Sequence, residues 1–390
     1  MTSTEQTRLG ERLKVSRSAA GFTQEQAAEQ VKLARTTLVA IERGDREVRP
    51  DELVAFANIY NVSVHSLLRA SAIKVELVGQ FRRTISDKTD DANIAAVSML
   101  HDLSAAYVEL ERCLGKVSVL DYPPERKIGR GKIATQAEEL AVELRTRLGL
   151  GLGPIPDLES ILELELGLRI FVRPIASEIS GVYGYHPEIG ACVLLNSNHP
   201  ATRRRWTLAH ELAHFMTSRL APSVMHDGPH HKNADDLFAD AFAAAFLMPN
   251  ATVRRLFDEY VGREGNFAAR HLVLGARRLN VSLEAFSRQL EILELLPLGT
   301  YDKLRQQGLS DRAVPGFEDE TPKRDGTRML ISGASGVRLM MLAAEAHDQG
   351  LYSEGQLADM LSLDRLAVRE VIDSFAALEP LTVAVESRRK

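Results

Sequence analysis

Trp206-Thr207-Leu208-Ala209-His210-Glu211-Leu212-Ala213-His214 is the stretch on which the reading of this chain turns. It holds His-Glu-x-x-His inside a segment of helical period, with Leu208, Leu212 and Phe215 forming an apolar stripe. On an α-helix, His210 and His214 project from one face, one turn apart. Two imidazoles so placed can bind one Zn²⁺. Glu211, one position round, can reach the water that such an ion activates and act as general base. The competing reading is a half-buried helix with surface histidines.

A catalytic zinc needs a third protein ligand and an open position. Downstream, Asp235-Asp236-Leu237-Phe238-Ala239-Asp240-Ala241-Phe242-Ala243-Ala244-Ala245-Phe246-Leu247-Met248-Pro249 is a strong helix pattern closed by proline. Phe238, Phe242 and Phe246 share one face, and Asp236 and Asp240 share another. An acid is costly to bury on an apolar, alanine-rich helix unless it is paired or binds metal. Asp236 is therefore the expected third ligand. Asp240, one turn on, is the expected acceptor for the free ring N–H of a zinc-bound histidine. The spacing alone also permits the reverse assignment, or two solvent-facing acids with no role.

These two motifs, Arg-Trp-Thr-Leu-Ala-His-Glu-Leu-Ala-His and Ala-Asp-x-Phe-Ala-Ala-x-Phe-Leu-Met-Pro after an acid, resemble those of the ImmA/IrrE family of zinc metallo-endopeptidases. The resemblance implies zinc on His210 and His214, Glu211 as the catalytic glutamate, and a third ligand at Asp236. The family usually has Glu at that last position. Aspartate is shorter by one methylene, so its helix must approach more closely, or the acid must bind through water.

Length and composition set the frame. The 390 residues are enough for two or three domains. A hydrophobic share of 45% and a charged share of 26% are those of an ordinary globular protein. A net charge of −5 argues against coating nucleic acid by bulk charge but leaves room for a local basic face. The two cysteines, Cys113 and Cys192, imply neither a disulfide framework nor a cysteine zinc site, and a reducing cytoplasm is the simplest setting. The N-terminus lacks a signal pattern, and no apolar run reaches the ~18 residues of a membrane span.

Residues 1–74 alternate short helical patterns with tight breaks. Leu9 and Leu13 mark a first helix ending at Gly21. Thr23 with Gln26 reads as a capping box opening a second helix. After a turn at Lys32-Leu33-Ala34, a third helix runs from Arg35 to Gly44, with Leu38 and Ile41 inward and Arg35, Thr36 and Thr37 outward at its start. Pro50 begins a fourth, and Leu67 and Leu68 belong to a last. This order resembles the Xre/lambda-repressor-type helix-turn-helix domain. The resemblance implies double-stranded operator DNA as partner, with Arg35, Thr36 and Thr37 reading the major groove. It also implies that Gln24 holds a phosphate at the second helix's N-terminus. Ala34 stands where the family prefers a Ser cap, and Val39-Ala40 replaces polar groups. Eleven Lys/Arg against nine Asp/Glu leave a modest surplus of two in residues 1–74. A protein-interaction module without an operator is the other reading.

Residues 75–128 form a bridge. Ile94, Val97, Leu100, Leu103, Tyr107, Leu110 and Leu114 recur every three or four residues, which predicts one long amphipathic helix. A homodimer is expected, because such regulators bind paired half-sites. The stripe is either the dimer seam or a face packed on its own domain.

Residues 129–296 hold the peptidase pattern: helices from Ala134 to Leu148 and from Asp157 to Gly167, then short strands at 168–174, 179–185 and 191–196. The expected fold class is mainly α with a small antiparallel sheet, an α+β arrangement resembling a minimal zincin. In such folds a sheet edge beside the metal pairs with substrate backbone. Tyr183 and Tyr185 are candidate oxyanion donors that nothing in the sequence selects over core positions. His226, His230 and His231 fall in an expected loop between the metal motifs. A helical hairpin over 267–296 is expected to pack or to dock substrate. Residues 297–326, rich in Pro, Gly and acids near the end, read as a linker. Residues 327–390 read as a C-terminal helical module with Ser353 and Ser362 as helix caps.

The reading that follows is a DNA-binding regulator carrying a zinc endopeptidase that cleaves a repressor, a toxin or its own chain. The alternative is an autoregulating antitoxin or repressor in which the zincin body only binds a partner.

Overall fold

A computed structural model describes residues 3–60, 64–68, 77, 81, 91–118, 120, 122–227, 233–311 and 336–376. The expected loop histidines His230 and His231 and the second half of the 297–326 linker lie outside these residues. The chain forms two compact units, residues 1–74 with 355–362, and residues 75–354 with 363–390.

The first unit is built from α1 (Ser3–Ala19), α2 (Gln24–Gln30), α3 (Arg35–Arg43), α4 (Pro50–Ile59) and α5 (Val64–Leu68). Leu9, Leu13, Ala27, Ala28, Leu38, Ile41, Leu53 and Phe56 make its core. The capping box read at Thr23 is present: its side chain accepts from the Gln26 N–H at 3.2 Å, and the Gln26 side chain accepts from the Thr23 N–H at 2.9 Å. Ala34, as the sequence implied, caps α3 with no side-chain bond. Gly10 lets α1 cross α3 closely, since a Cβ there would collide with the backbone carbonyls of Ile41 and Glu42.

In the second unit, β1 (Arg169–Arg173), β2 (Ile179–His186), β3 (Gly190–Asn196) and β4 (Ser223–His226) form one sheet in the order β1-β3-β2-β4. The sheet is mixed, not antiparallel as the sequence suggested. The hairpin β2–β3 places β3 beside β1, and β1 runs parallel to β3 with Phe171 opposite Leu194. A five-residue link from β1 to β2, with β3 inserted between them, produces the parallel pair. The fourth strand, Ser223–His226, was not expected, and its last two residues, Met225 and His226, begin the stretch read as loop; it pairs antiparallel with β2 at the sheet edge.

β1 and β3 are buried along their whole length, because helices cover the sheet. The long helix α6 (Asp91–Cys113) packs on β1, β2 and β3. Its Val97, Leu100, Leu103, Tyr107 and Leu110 are buried within the chain. The stripe read as a possible dimer seam is thus spent on the protein's own sheet.

Beyond the sheet lie α7 (Ile133–Arg147), α8 (Leu158–Leu166), α9 (Ala201–Thr217), α10 (Ala234–Leu247), α11 (Asn250–Glu264), α12 (Ala269–Leu279), α13 (Leu283–Ile292) and α14 (Thr300–Gln306). Gly167 stops α8 in the left-handed conformation, φ 69°, which L side chains rarely adopt. The central packing is α9 on α10 and α10 on α7. Phe238, Phe242 and Phe246 of α10 are fully buried there, each contributing about 1.5–3 kcal/mol of burial. Arg145 of α7 is also buried and donates to the Gly151, Gly153 and Phe246 carbonyls, tying the glycine loop and the end of α10 to α7.

The C-terminal helices are α15 (Val337–Asp348), α16 (Glu354–Leu361) and α17 (Arg365–Ala376). α15 packs on α6 and α8. Arg338 donates to Glu111, which is fully buried and also accepts from Arg169 at 2.7 Å. The cap expected at Ser362 is instead Asp364, which accepts from the Ala367 N–H at 2.8 Å; Ser362 takes a left-handed φ of 52° after α16.

Candidate functional site

Helix α9 places the first motif where its spacing predicts. His210 and His214 are both nearly buried, their Nε2 atoms 3.2 Å apart. Burial on one face, toward α10, follows from the apolar Leu208, Leu212 and Phe215 on the opposite side. Opposite them, α10 brings in Asp236, with Oδ1 3.8 Å from His214 Nε2. Donor atoms of His210, His214 and Asp236 all lie within 4.8 Å of one another. Among the described residues this is the one group of His, Cys, Asp and Glu close enough to share an ion. Two nitrogens on a tetrahedral Zn²⁺ stand roughly 3.3 Å apart, given bonds of ~2.0–2.1 Å. The observed imidazole separation fits that donor set.

Asp240, one turn further along α10, meets the other ring atom of His210: Nδ1 to Oδ1 is 3.0 Å. That bond turns Nε2 of His210 toward the donor cluster and fixes its tautomer. Burial pulls the His210 imidazole down, but the Asp240 bond and the charges of Glu211, Asp240 and Asp236 outweigh it and leave it above its ordinary value. His214 has no such bond, and burial pushes it below its ordinary value.

Asp236 also does local work that the sequence reading missed. Asn233 caps α10 by accepting from the Asp236 N–H at 2.9 Å, and Asp236 Oδ2 accepts from the Asn233 N–H at 3.2 Å. The signal was present as Asn-x-x-Asp at the helix start.

Glu211 is fully buried. Its Oε2 accepts from Ser223 Oγ at 2.5 Å, and its Oε1 has no hydrogen-bond partner among the described residues. A buried, half-satisfied carboxylate is costly unless a ligand or water completes it. All these groups line one cleft of about 1090 Å³. Trp206, Leu237, Ala241 and Val281 give that cleft an apolar wall, and His226 of β4 lies on its border. Tyr183 is core: its hydroxyl donates to the Arg219 carbonyl at 2.9 Å, and neither it nor Tyr185 lines the cleft. Close packing of β2 on α9 at the site needs Gly181, where a Cβ would stand 2.6 Å from Thr207 Cγ2.

In the first unit, Arg35 and Thr36 are exposed and Thr37 half-exposed at the start of α3. The Gln24 side chain is engaged: it donates to Glu42 Oε2 at 2.8 Å. Glu42 also accepts from Arg17 at 2.6 Å, so this carboxylate joins α1, α2 and α3. Any phosphate contact by Gln24 thus involves its backbone N–H or a rearranged side chain.

Fold and site together define a helix-turn-helix domain joined to a His-Glu-x-x-His domain on a small mixed sheet. Comparison with known families agrees: residues 8–70 match the helix-turn-helix domain family and residues 164–291 match the IrrE N-terminal-like domain of the M78 peptidases. The first segment is 43% identical over 60 residues to the HTH-type transcriptional regulator ImmR of Bacillus subtilis (strain 168). That match covers 15% of this chain and 47% of the relative, so the chain spans about half the length of the curated relative it matches. No helix among the described residues is long and apolar enough to cross a membrane.

Proposed function

We propose that this protein is a DNA-binding transcriptional regulator whose second unit is a zinc-dependent endopeptidase acting on a repressor-type partner or on its own chain. One observation carries the hydrolase half: donors from two helices, His210, His214 and Asp236, converge within 4.8 Å beside a buried glutamate with an unpartnered oxygen. The M78 match supports it.

His210 and His214 would hold zinc through Nε2, and Asp236 through a carboxylate oxygen. Bound there, zinc supplies a Lewis acid that makes water nucleophilic near neutral pH and polarises a carbonyl. Asp240 keeps the His210 ring in register through Nδ1. Glu211 accepts the water's proton on a carboxylate oxygen and later delivers it to the departing amine nitrogen. The apolar wall at Trp206, Leu237 and Ala241 excludes water and receives a substrate side chain. Asp236 is held by its own helix cap, so the shorter side chain reaches the cluster because α10 packs directly on α9.

The DNA half rests on the exposed start of α3 and on the helix-turn-helix match. Arg35 reads a base edge, with Thr36 and Thr37 beside it.

The test is to incubate the full-length protein with one equivalent of zinc, alone and with neighbouring regulators, and to identify cleavage products by mass spectrometry. Wild type is expected to cut, and Glu211→Gln to retain zinc while slowing cleavage at least about 10²-fold. Equal cleavage by the variant would remove the mechanism. Zinc bound without any cleavage would leave a partner-binding body in place of an enzyme.

A further inference from the structure

Among the described residues, Glu211 has no charged hydrogen-bond partner. What holds it is a serine from another element. Ser223 is the first residue of β4, the edge strand, and it pairs across to Tyr183 of β2. Tyr183 is fully buried and anchored through its hydroxyl to the Arg219 carbonyl. Ser223 therefore sits on a strand held mainly by its pairing with β2 in the sheet. Its Oγ donates to Glu211 Oε2 at 2.5 Å, and both residues line the cleft.

We infer that Ser223 is a positioning residue for Glu211. A glutamate has three side-chain torsions, and on α9 nothing within the helix restrains the last of them. The hydrogen bond occupies one oxygen and fixes the carboxylate plane. The other oxygen, Oε1, is left as the single unpartnered acceptor, and it is the one that takes the water's proton. Without Ser223 the carboxylate would be buried with both oxygens unsatisfied, free to rotate or to draw water onto either one. Misplacement of a reacting group by even an ångström costs on the order of 10²-fold in rate. Ser223 touches neither substrate nor metal in this role; it acts only through Glu211. The inference rests on the hydrolase reading above but makes a separate claim about the apo protein, that residues 211 and 223 are energetically coupled.

Two measurements on the full-length chain test it. In the first, Ser223→Ala and Ser223→Thr are assayed on the quenched-fluorescence peptide that zinc-loaded wild type cleaves best. Ser223→Ala should keep one zinc per chain, lower kcat about tenfold and leave KM within about twofold, and Ser223→Thr, which retains the hydroxyl, should recover most of the loss. A kcat unchanged in Ser223→Ala, or a threonine variant as impaired as alanine, overturns the role. In the second, thermal unfolding of the chelator-treated protein is followed for Ser223→Ala, Glu211→Ala and the double variant. The serine change should shift the midpoint clearly when Glu211 is present and much less when it is absent. Additive shifts overturn the contact. Should wild type cleave nothing, the hydrolase reading falls, and this second cycle still decides whether the pair is coupled.

Discussion

Asp236 serves two ends with one carboxyl group: Oδ2 closes the capping box at Asn233 and Oδ1 faces His214. Asp236→Ala should therefore cost both metal and helix start, whereas Asp236→Asn preserves much of the cap and loses the charged donor. Zinc titration by competition with a chromophoric chelator should show both variants severely weakened, with the helix loss, about 1 kcal/mol, confined to alanine. Asp240 differs. It touches His210 Nδ1 and not the donor cluster, so Asp240→Ala should weaken zinc about 10–100-fold without abolishing it. Loss as complete as that of Asp236→Ala would exchange the two roles.

Helix α10 keeps its acids in place through α7. Arg145 is buried and spends its donors on three carbonyls, including that of Phe246. Burial lowers its guanidinium to about 10, still charged at neutral pH. Arg145→Ala should leave those carbonyls unpaired and destabilise the second unit by about 3 kcal/mol, read by urea unfolding. At the start of α15, Glu163 accepts from the Arg338 N–H at 3.2 Å, and burial pushes its carboxyl up to about 7 from 4.5. The unfolded chain releases that proton first, so this group lowers stability progressively as pH rises from about 4.5 to about 7, and the effect is flat beyond. Glu163→Gln should remove that decline; identical pH profiles of melting temperature for wild type and variant would contradict the assignment. The helices were legible because their signals are local: Thr23 with Gln26, the phenylalanine stripe of α10, Gly167 after α8. The sheet was legible only in part. Ser223-Val224-Met225-His226 is four residues long with no alternation, so β4 left no periodic trace. The parallel β1–β3 pair depends on which strand β3 meets, and local pattern does not encode that. Likewise the α6 stripe announced a buried face but not that the protein's own sheet covers it.

At the scale of the whole molecule, a helix-turn-helix domain and a His-Glu-x-x-His domain are joined in one chain of net charge −5. The proposed operator binding rests on a local face at α3, so Arg35→Ala should weaken it by about 1–3 kcal/mol in an electrophoretic shift, with specificity relaxed at one base pair. Unaltered binding would move the recognition surface elsewhere. The Ser223–Glu211 contact was beyond reach of the sequence, because it spans elements whose mutual placement only the packed fold determines, whereas Asp236 was reached through the acid on its apolar helix and the motif resemblance. His210, Glu211 and His214 were within reach, because one helix carries all three. The chemistry proposed for the second unit depends on α9 and α10 delivering their donors to one point. X-ray absorption at the zinc edge of the full-length protein, loaded with one equivalent, measures that directly. The expected spectrum has two imidazole nitrogens and carboxylate or water oxygens at about 2.0–2.2 Å, with the histidine signature lost in the His210→Ala, His214→Ala double variant. A sulfur shell at about 2.3 Å, or a spectrum unchanged in that variant, would show that the ion binds elsewhere.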